Sequence, residues 1–233
     1  MTLKQLGKRQ REQNKFADAI YTHTEGQKIA AELCDTPEII YALNNIGTNY
    51  RRMSMLEDAT TFHYRALRYC EEYSDKETYG AKKNKVVSLN GIGNISLRLG
   101  DYETADSVFR AALAGEKALG SALGQAINYA NLGAIFEYND QIDSAWIYYK
   151  KSMQMNIEAK SDLGISLCHG YFGGLYEKNG QIDSAIIVYK KAFAMKDKID
   201  AWHWLNSCLS LAQLYIKRGN ISSAKQLLTQ AEE

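Results

Sequence analysis

The sequence has a single proline, four cysteines and no excess of charge of either sign. Its 233 residues include 28 Lys+Arg and 27 Asp+Glu, so the formal net charge is +1 at pH 7. Proteins that bind nucleic acid neutralise many phosphates with Lys and Arg, and peripheral membrane proteins commonly carry a polybasic patch. The balance of charge therefore argues against nucleic acid or a membrane surface as a partner.

Long apolar segments are also missing. No stretch approaches the 18 consecutive apolar residues of a membrane-spanning helix. The first ten residues contain no apolar segment of the kind that follows the charges of a signal peptide. We therefore expect a soluble protein without membrane insertion and a cytoplasmic location.

The cysteines do not indicate a metal site. Cys34, Cys70, Cys168 and Cys208 form no CxxC pair and no metal-ligand spacing with a histidine. We expect them to be small buried or half-buried packing groups. The sequence predicts no metal and no cofactor.

Signatures of catalysis are absent as well. The chain contains no GxSxG, no GxxxxGK[ST] and no HExxH motif. Residues 120–124 are glycine-rich, but no predicted strand precedes them, so they are interpreted as a break between helices. The sequence predicts that the protein is not an enzyme.

A repeated unit organises the whole chain. Segments 141–151 and 181–191 are identical at nine of eleven positions, at an offset of 40 residues. A small residue recurs once in each of six units, at Gly7, Gly47, Gly93, Gly133, Gly173 and Ala212. An alanine follows each by twelve residues, at Ala19, Ala59, Ala105, Ala145, Ala185 and Ala224. A period near 40 residues predicts a repeat architecture.

Each unit predicts a hairpin of two helices. From Ile182 the apolar residues fall at 182, 185, 186, 189 and 193, one stripe of a 3.6-residue period. Glycine at the end of the first helix, as at Gly180, adopts the left-handed conformation readily and lets the second helix fold back. Small residues on facing helices are expected to allow close backbone approach. The predicted hairpins span residues 2–33, 37–73, 82–118, 121–159, 162–197 and 199–232.

These residues resemble the tetratricopeptide repeat family. Its pattern is visible in Asn131–Phe136 with Ala145 and Tyr149, and in Phe172–Tyr176 with Ala185 and Tyr189. The period is about 40 residues rather than 34, and the family's late proline is missing. The chain is thus similar to the long-helix subgroup that includes kinesin light chains, spindle adaptors and peptide-sensing bacterial regulators. The resemblance implies an all-α, right-handed superhelical solenoid of about six hairpins, forming a single domain over residues 1–233.

Two expectations concern the ends and gaps of this array. Solenoids need a solvating cap, and no polar capping helix follows the last predicted helix. We therefore expect that the chain is a segment of a longer protein. The longest gap, residues 74–85, is expected to hold an extended loop or an extra helical turn.

The resemblance also implies where a partner binds. In that family the first helix of each pair lines a concave groove that binds extended peptides or partner helices, and an Asn before the aliphatic–Gly pair holds the peptide backbone. That position holds Asn45 and Asn131 here, and neighbouring candidates are Asn44, Asn90 and Asn94. An amide suits this role because it offers one acceptor and two donors. The alternative is that these amides bond within the scaffold, between adjacent helices.

Charged residues near the small residue give the predicted groove two different ends. The basic candidates are Lys8, Arg11, Arg51, Arg52 and Arg98, and the acidic candidates in later units are Glu137 and Glu177. Such a groove would orient a polar peptide or a carboxylate-bearing partner. The alternative is a solvated face of ordinary surface charge.

Aromatic residues and histidines are interpreted mainly as packing groups. His23 and His63 replace the aromatic residue that stands four positions after the repeated alanine in other units. Trp202 and Trp204 open the sixth unit. One indole there either forms a contact edge for a partner or seals the joint between the fifth and sixth hairpins.

Three functional hypotheses follow. The first is a non-catalytic scaffold that binds a protein or peptide in its groove, with the sensor or interaction segment of a bacterial signalling protein as a narrower version. The second is a structural platform that self-associates as a homo-oligomer through its terminal hairpins. The third is a hydrolase or phosphatase that acts through a groove carboxylate such as Glu137.

Overall fold

The structure is a computed structural model, and it describes residues 1–72 and 78–232. Within these ranges the chain forms twelve α-helices and one short 3-10 turn, joined by turns. The all-α class predicted from the repeat is confirmed. No helix in the described ranges is both long enough and apolar enough to cross a membrane.

The helices divide into two compact units, residues 1–121 and 122–233. The first unit contains α1 (Leu3–Glu12), α2 (Phe16–Glu32), α3 (Thr36–Arg52), α4 (Leu56–Glu72), α5 (Tyr79–Leu99) and α6 (Tyr102–Ala118). The second contains α7 (Ala122–Tyr138), α8 (Ile142–Glu158), α9 (Asp162–Lys178), α10 (Ile182–Phe193), α11 (Ala201–Lys217) and α12 (Ile221–Glu232), with the 3-10 turn at Lys196–Lys198. The single-domain organisation stays a prediction.

Consecutive helices pair as hairpins, α1 with α2 through to α11 with α12. The third hairpin starts at Tyr79, three residues before the expected residue 82. Its first helix, α5, has 21 residues, whereas α3 has 17. The extra helical turn expected in the gap 74–85 is therefore present, while residues 74–77 of that gap lie outside the described residues.

The turns between paired helices use the left-handed backbone conformation. Gly100, Gly180 and Gly219 have φ of 77°, 69° and 73°, as the sequence predicts for these breaks. Asn14 and Ser54 adopt φ of 59° and 62° at the corresponding turns of the first two hairpins. Asn is among the side chains that tolerate this region, whereas Ser at such a position is uncommon.

In the first five hairpins, the glycine of the first helix lies under a ring from the second helix. The rings stand sixteen residues after the glycine, and they belong to His23, His63, Phe109, Tyr149 and Tyr189. A Cβ atom at Gly133 would lie 2.6 Å from Cδ1 of Tyr149, and one at Gly173 would lie 2.5 Å from Cζ of Tyr189. The glycine thus makes room for a ring, where the sequence predicted only a close approach of two backbones.

The terminal tryptophans have different environments. Trp204 is buried, stacks on Phe193 at 5.4 Å between ring centroids, and donates its indole N–H to the Phe193 carbonyl at 2.8 Å. It seals the joint between α10 and α11, which confirms that interpretation for one indole. Trp202 is 70% exposed.

All four cysteines are free thiols. Cys70, Cys168 and Cys208 are buried, but Cys34 is exposed. The packing interpretation is wrong for Cys34 because it occupies a left-handed turn position, with φ of 54°, after the end of α2. In the described part of the chain, no group of three or more His, Cys, Asp and Glu could hold a metal ion.

Two glycines of α9 provide a matched test of the ring contact. Replacing Gly173 by Ala forces the Tyr189 ring to move, and overpacking of this kind costs about 1–3 kcal/mol. Around Gly170 a Cβ atom meets nothing within 4 Å, so Gly170→Ala is expected to stabilise the helix by about 0.5–1 kcal/mol. Urea unfolding of both variants measures the difference, and equal effects at the two positions would contradict the ring-on-glycine packing.

Acidification is expected to destabilise the first unit. Burial first, and a neighbouring arginine second, lower the pKa of His23 and of His63 to about 4, from 6.5. Because the folded pKa lies below the unfolded one, the stabilisation is complete above pH 6.5 and is lost as the pH falls towards 4. Each histidine is expected to remove about 1–2 kcal/mol from the free energy of unfolding between pH 7 and pH 5.

Urea midpoints at the two pH values measure this loss. The double variant His23→Phe/His63→Phe adopts the residue type of the third hairpin, Phe109, and is expected to show a smaller loss. An equal loss in the wild type and in this variant would rule out the histidines as its source.

Candidate functional site

The predicted asparagines of the first unit are largely engaged within the scaffold. Asn45 is half-buried; its Oδ1 accepts a hydrogen bond from Nη1 of Arg11 at 2.6 Å, and its Nδ2 donates to the Tyr41 carbonyl at 2.8 Å. Asn94 donates to the Asn90 carbonyl at 2.6 Å. Contact of Asn45, Asn90 or Asn94 with a ligand stays a prediction.

Asn44 does not line an accessible surface, which corrects the expectation for this residue. It is 2% exposed. Its Oδ1 lies 3.0 Å from Nδ1 of His63 and accepts the hydroxyl hydrogen of Ser88 at 3.1 Å. The side chain therefore links α3, α4 and α5. Successive residues of a helix are rotated by about 100°, so Asn44 and Asn45 lie on different faces of α3.

Both glutamates of the predicted acidic end accept a hydrogen bond from a ring seated on glycine. The Tyr149 hydroxyl donates to Oε2 of Glu137 at 2.7 Å, and the Tyr189 hydroxyl donates to Oε1 of Glu177 at 3.0 Å. Burial and the adjacent carboxylate raise the pKa of both phenols.

Lysines also meet these carboxylates. Nζ of Lys178 lies 3.8 Å from Oε1 of Glu137, and Nζ of Lys217 lies 3.1 Å from Oε2 of Glu177. The two glutamates thus have partners within the second unit, and their role in ligand binding stays a prediction.

The residue that follows the glycine by four positions varies with the ring. Glu137 and Glu177 accompany tyrosine, Arg11 and Arg51 accompany His23 and His63, and Leu97 accompanies Phe109, always at a spacing of twelve residues. The charge at this position therefore varies with the ring: it is basic with histidine, neutral with phenylalanine and acidic with tyrosine.

Four arginines of the first unit lie near one another. Arg98 donates from Nη1 to the Arg51 carbonyl at 3.1 Å and from Nη2 to the Ser54 hydroxyl at 3.2 Å. Burial lowers the pKa of Arg51, and the charges of Arg52, Arg98 and Arg11 lower it further. We call these four residues, Arg11, Arg51, Arg52 and Arg98, the arginine cluster.

Lys8 lies outside this cluster in its contacts. It is exposed and pairs with Glu12 one turn further along α1, at 3.8 Å. An exposed pair at this spacing contributes a few tenths of a kcal/mol.

The second unit has an apolar groove between its first helices. A cavity of about 360 Å³ lies between α7 and α9, with α8 beneath it. Its apolar rim includes Leu123 and Ile127 of α7, and Leu163 and Leu167 of α9. Ile127 is 49% exposed and Leu167 is 36% exposed. We call this cavity and its rim the α7–α9 groove.

Polar groups stand at one end of the α7–α9 groove. Asn131 and Tyr171, forty residues apart, both line it. Tyr171 stacks on Tyr149 at 4.7 Å between ring centroids, and burial raises its pKa to about 12. Nδ2 of Asn131 is buried and has no hydrogen-bond partner among the described residues. Of the predicted site residues, Asn131 is the one that lines this groove.

The apolar rim was not predicted from the sequence. Its signal was present in the equivalent positions 123 and 163, and 127 and 167, which hold aliphatic residues at the repeat offset. A further signal is that residues 122–136, 163–176 and 201–216 contain no Asp, Glu, Lys or Arg. Surface helices without charge indicate an interaction surface.

Comparison with known proteins identifies the repeat. Two family models described as tetratricopeptide repeat match residues 88–123 and residues 172–198. These two segments of the chain are thus similar to tetratricopeptide repeats. No curated protein matches its sequence.

Several solved structures share the fold at low identity. BtubC (BKLC) from P. vanneervenii is 15% identical, with a TM-score of 0.75 over 93% of this chain and 89% of that chain. Putative kinesin light chain repeats from Podosopora anserina are 15% identical, with a TM-score of 0.62 over 84% and 94%. Aspartyl phosphate phosphatase F from Bacillus subtilis is 15% identical, with a TM-score of 0.69 over 97% and 67%. At this identity the likeness shows the fold alone.

A double-mutant cycle tests whether Glu137 serves the ring of Tyr149. Tyr149→Phe leaves a half-buried carboxylate without its donor, and Glu137→Leu leaves a buried hydroxyl without its acceptor; each is expected to cost about 1–3 kcal/mol. The double variant reproduces the Leu97 and Phe109 combination and is expected to cost less than the sum, with a coupling of about 1–2 kcal/mol. Urea unfolding of the four proteins measures the coupling, and additive losses would contradict the pairing.

Proposed function

We propose that the protein is a non-catalytic scaffold that binds a segment of a partner protein or peptide along its first helices. The observation that carries the proposal is the α7–α9 groove, an apolar cavity with an amide and a phenol at one end. Ligand pockets combine apolar walls with a few polar groups that fix orientation. The tetratricopeptide family and the fold of its structural relatives support the same class of function.

The chemistry of the α7–α9 groove suits an apolar anchor followed by backbone. Leu123, Ile127 and Leu167 offer exposed aliphatic surface to a leucine-like or aromatic side chain of the partner. Burial of one such side chain contributes about 1.5–3 kcal/mol. The amide of Asn131 stands beside that surface and pairs with a peptide group of the partner.

Because the helices are already packed, most of the conformational entropy lost on binding is lost by the partner. The groove is formed by packed helices, with Tyr171 fixed against Tyr149. A preformed site loses little conformational entropy on binding. Many weak contacts along such a surface then add up to a measurable affinity.

A narrower version of the proposal places the chain in bacterial signalling. Its support is the structural likeness to aspartyl phosphate phosphatase F from Bacillus subtilis. In this version the chain is the sensor or interaction segment, and the catalytic step belongs to another protein or domain.

Peptides selected from a displayed library of random twelve-residue sequences test the proposal. The groove variant is Ile127→Glu/Leu167→Glu. The matched control is Ile147→Glu/Ile187→Glu on the second helices α8 and α10, where the side chains are 53% and 57% exposed. Circular dichroism and thermal unfolding verify that both variants fold.

The groove variant is expected to raise the dissociation constant of a selected peptide at least tenfold, since it places two charges against an apolar anchor. The control is expected to leave it within a factor of two. Loss of binding in the control with retention in the groove variant would move the binding site to the second helices and refute the proposal.

Self-association is the second candidate function, and the exposure of Trp202 favours it. Trp204 is excluded as a contact because it is buried at the joint of α10 and α11. If the terminal hairpin forms a dimer, sedimentation shows a concentration-dependent dimer that Trp202→Ala weakens. A monomer at all concentrations would end this candidate.

A further inference from the structure

Charge is segregated between the two helices of each hairpin in the first unit. The first helices α1, α3 and α5 contain ten basic and two acidic residues, whereas α2, α4 and α6 contain five basic and ten acidic residues. The net charge of the whole chain, +1, conceals this separation. One side of the first unit is therefore basic although the protein is nearly neutral.

The arginine cluster is the most concentrated part of this basic side. Arg11 is tied to α3 through the Asn45 amide at 2.6 Å, and Arg98 is tied to the end of α3 through the Arg51 carbonyl at 3.1 Å. Three consecutive first helices thus contribute arginines whose charges act on Arg51. In the described part of the chain, none of the four arginines lies within ion-pair distance of a carboxylate.

Stabilisation of helix ends is the alternative explanation for these arginines. Arg11, Arg51, Arg52 and Arg98 all stand in the last turn of their helices. A cation there interacts favourably with the helix dipole. This interaction explains one cation at each helix end, but burial desolvates Arg51, and the like charges of Arg52, Arg98 and Arg11 repel it and lower its pKa further. The repulsion is relieved when an anion binds among them.

We propose that the arginine cluster is an oxyanion site that takes the acidic group of a bound segment, either a phosphorylated side chain or two neighbouring carboxylates. This rests on the proposed function, since it assumes that the chain binds peptide segments. Guanidinium groups suit both ligands because each presents several N–H donors in a plane and remains charged. Clusters of arginine recognise phosphorylated and acidic motifs in other folds.

The positive charge of the arginine cluster suits a dianion. Arg11 uses one Nη atom for Asn45, Arg98 uses both Nη atoms for backbone and hydroxyl acceptors, and Arg52 is exposed. A phosphate group carries about −1.5 to −2 charges and three acceptor oxygens. Two adjacent carboxylates supply a similar charge. A single neutral side chain supplies neither, so the cluster distinguishes acidic segments from neutral ones.

Three short peptides with the sequence Gly-Ala-X-X-Ala-Gly, both ends blocked, serve as probes together with inorganic phosphate. The X-X pair is Ser-Ser, phosphoserine-Ser or Glu-Glu. The site variant is Arg11→Gln/Arg52→Gln, and the matched control is Arg65→Gln/Arg68→Gln on α4, which removes the same charge. Thermal unfolding is recorded at constant ionic strength, with chloride as the reference anion.

The wild type and the control are expected to unfold about 4–7 °C higher when an acidic probe or phosphate is present at about twenty times its dissociation constant. The site variant is expected to show no such rise. A rise with phosphoserine alone identifies a phosphorylated side chain as the ligand, and a rise with both acidic peptides identifies the shared dianion.

An equal rise in the site variant, or an equal rise with the Ser-Ser peptide, would overturn the proposal. If the double variant does not fold, the exposed single variant Arg52→Gln replaces it, with Arg68→Gln as its control. The variant Ile127→Glu/Leu167→Glu retains the rise. The two proposals are therefore tested by different variants: loss of the oxyanion site affects the arginine variant, and loss of the α7–α9 groove affects the Ile127→Glu/Leu167→Glu variant.

Discussion

The architecture depends on one contact, a ring of the second helix lying on a glycine of the first helix. It occurs in five of the six hairpins, at Gly7, Gly47, Gly93, Gly133 and Gly173. Because a Cβ atom there would overlap the ring, the contact sets how closely the two helices pack. It also sets which residue stands over the ring tip, twelve positions before the ring in sequence. The hydroxyl of Tyr149 requires an acceptor and obtains Glu137, whereas a histidine ring accompanies arginine at Arg11 and Arg51.

This packing rule gives the two units different chemistry on their first helices. In the first unit, histidine rings are buried and neutral, and arginines accumulate at the helix ends. In the second unit, Glu137 and Glu177 are paired with tyrosine hydroxyls and lysines. Residues 122–136 of α7, 163–176 of α9 and 201–216 of α11 contain no Asp, Glu, Lys or Arg. A segment that binds the first unit is therefore expected to be acidic, and one that binds the second unit is expected to be apolar.

Much of the fold was predictable because the repeat fixes which residues are equivalent. The offset of 40 residues located the helices and the glycine turns. One indole of the pair Trp202 and Trp204 was expected at a joint, and the structure identifies it as Trp204. The site was harder. Asn44 and Asn45 are neighbours in sequence, but only the structure shows that one is buried against His63 and Ser88. From their sequence positions, Glu137 and Glu177 predicted an acidic end of the groove. Their hydrogen bonds to tyrosine hydroxyls depend on the orientation of the rings. The repeat period does not specify that orientation. The rim of Ile127 and Leu167 was not predicted because an apolar residue in a helix is expected to be buried, and only the structure shows that these two are exposed.

The central claim is that the first helices of the second unit bind the partner. The most direct measurement is a titration of methyl-labelled protein with a display-selected peptide, followed by nuclear magnetic resonance. The account predicts that the methyl signals of Leu123, Ile127 and Leu167 shift in a saturable manner, while those of Ile147 and Ile187 stay in place. Shifts confined to Ile147 and Ile187 would contradict it, because the peptide would then lie on the second helices.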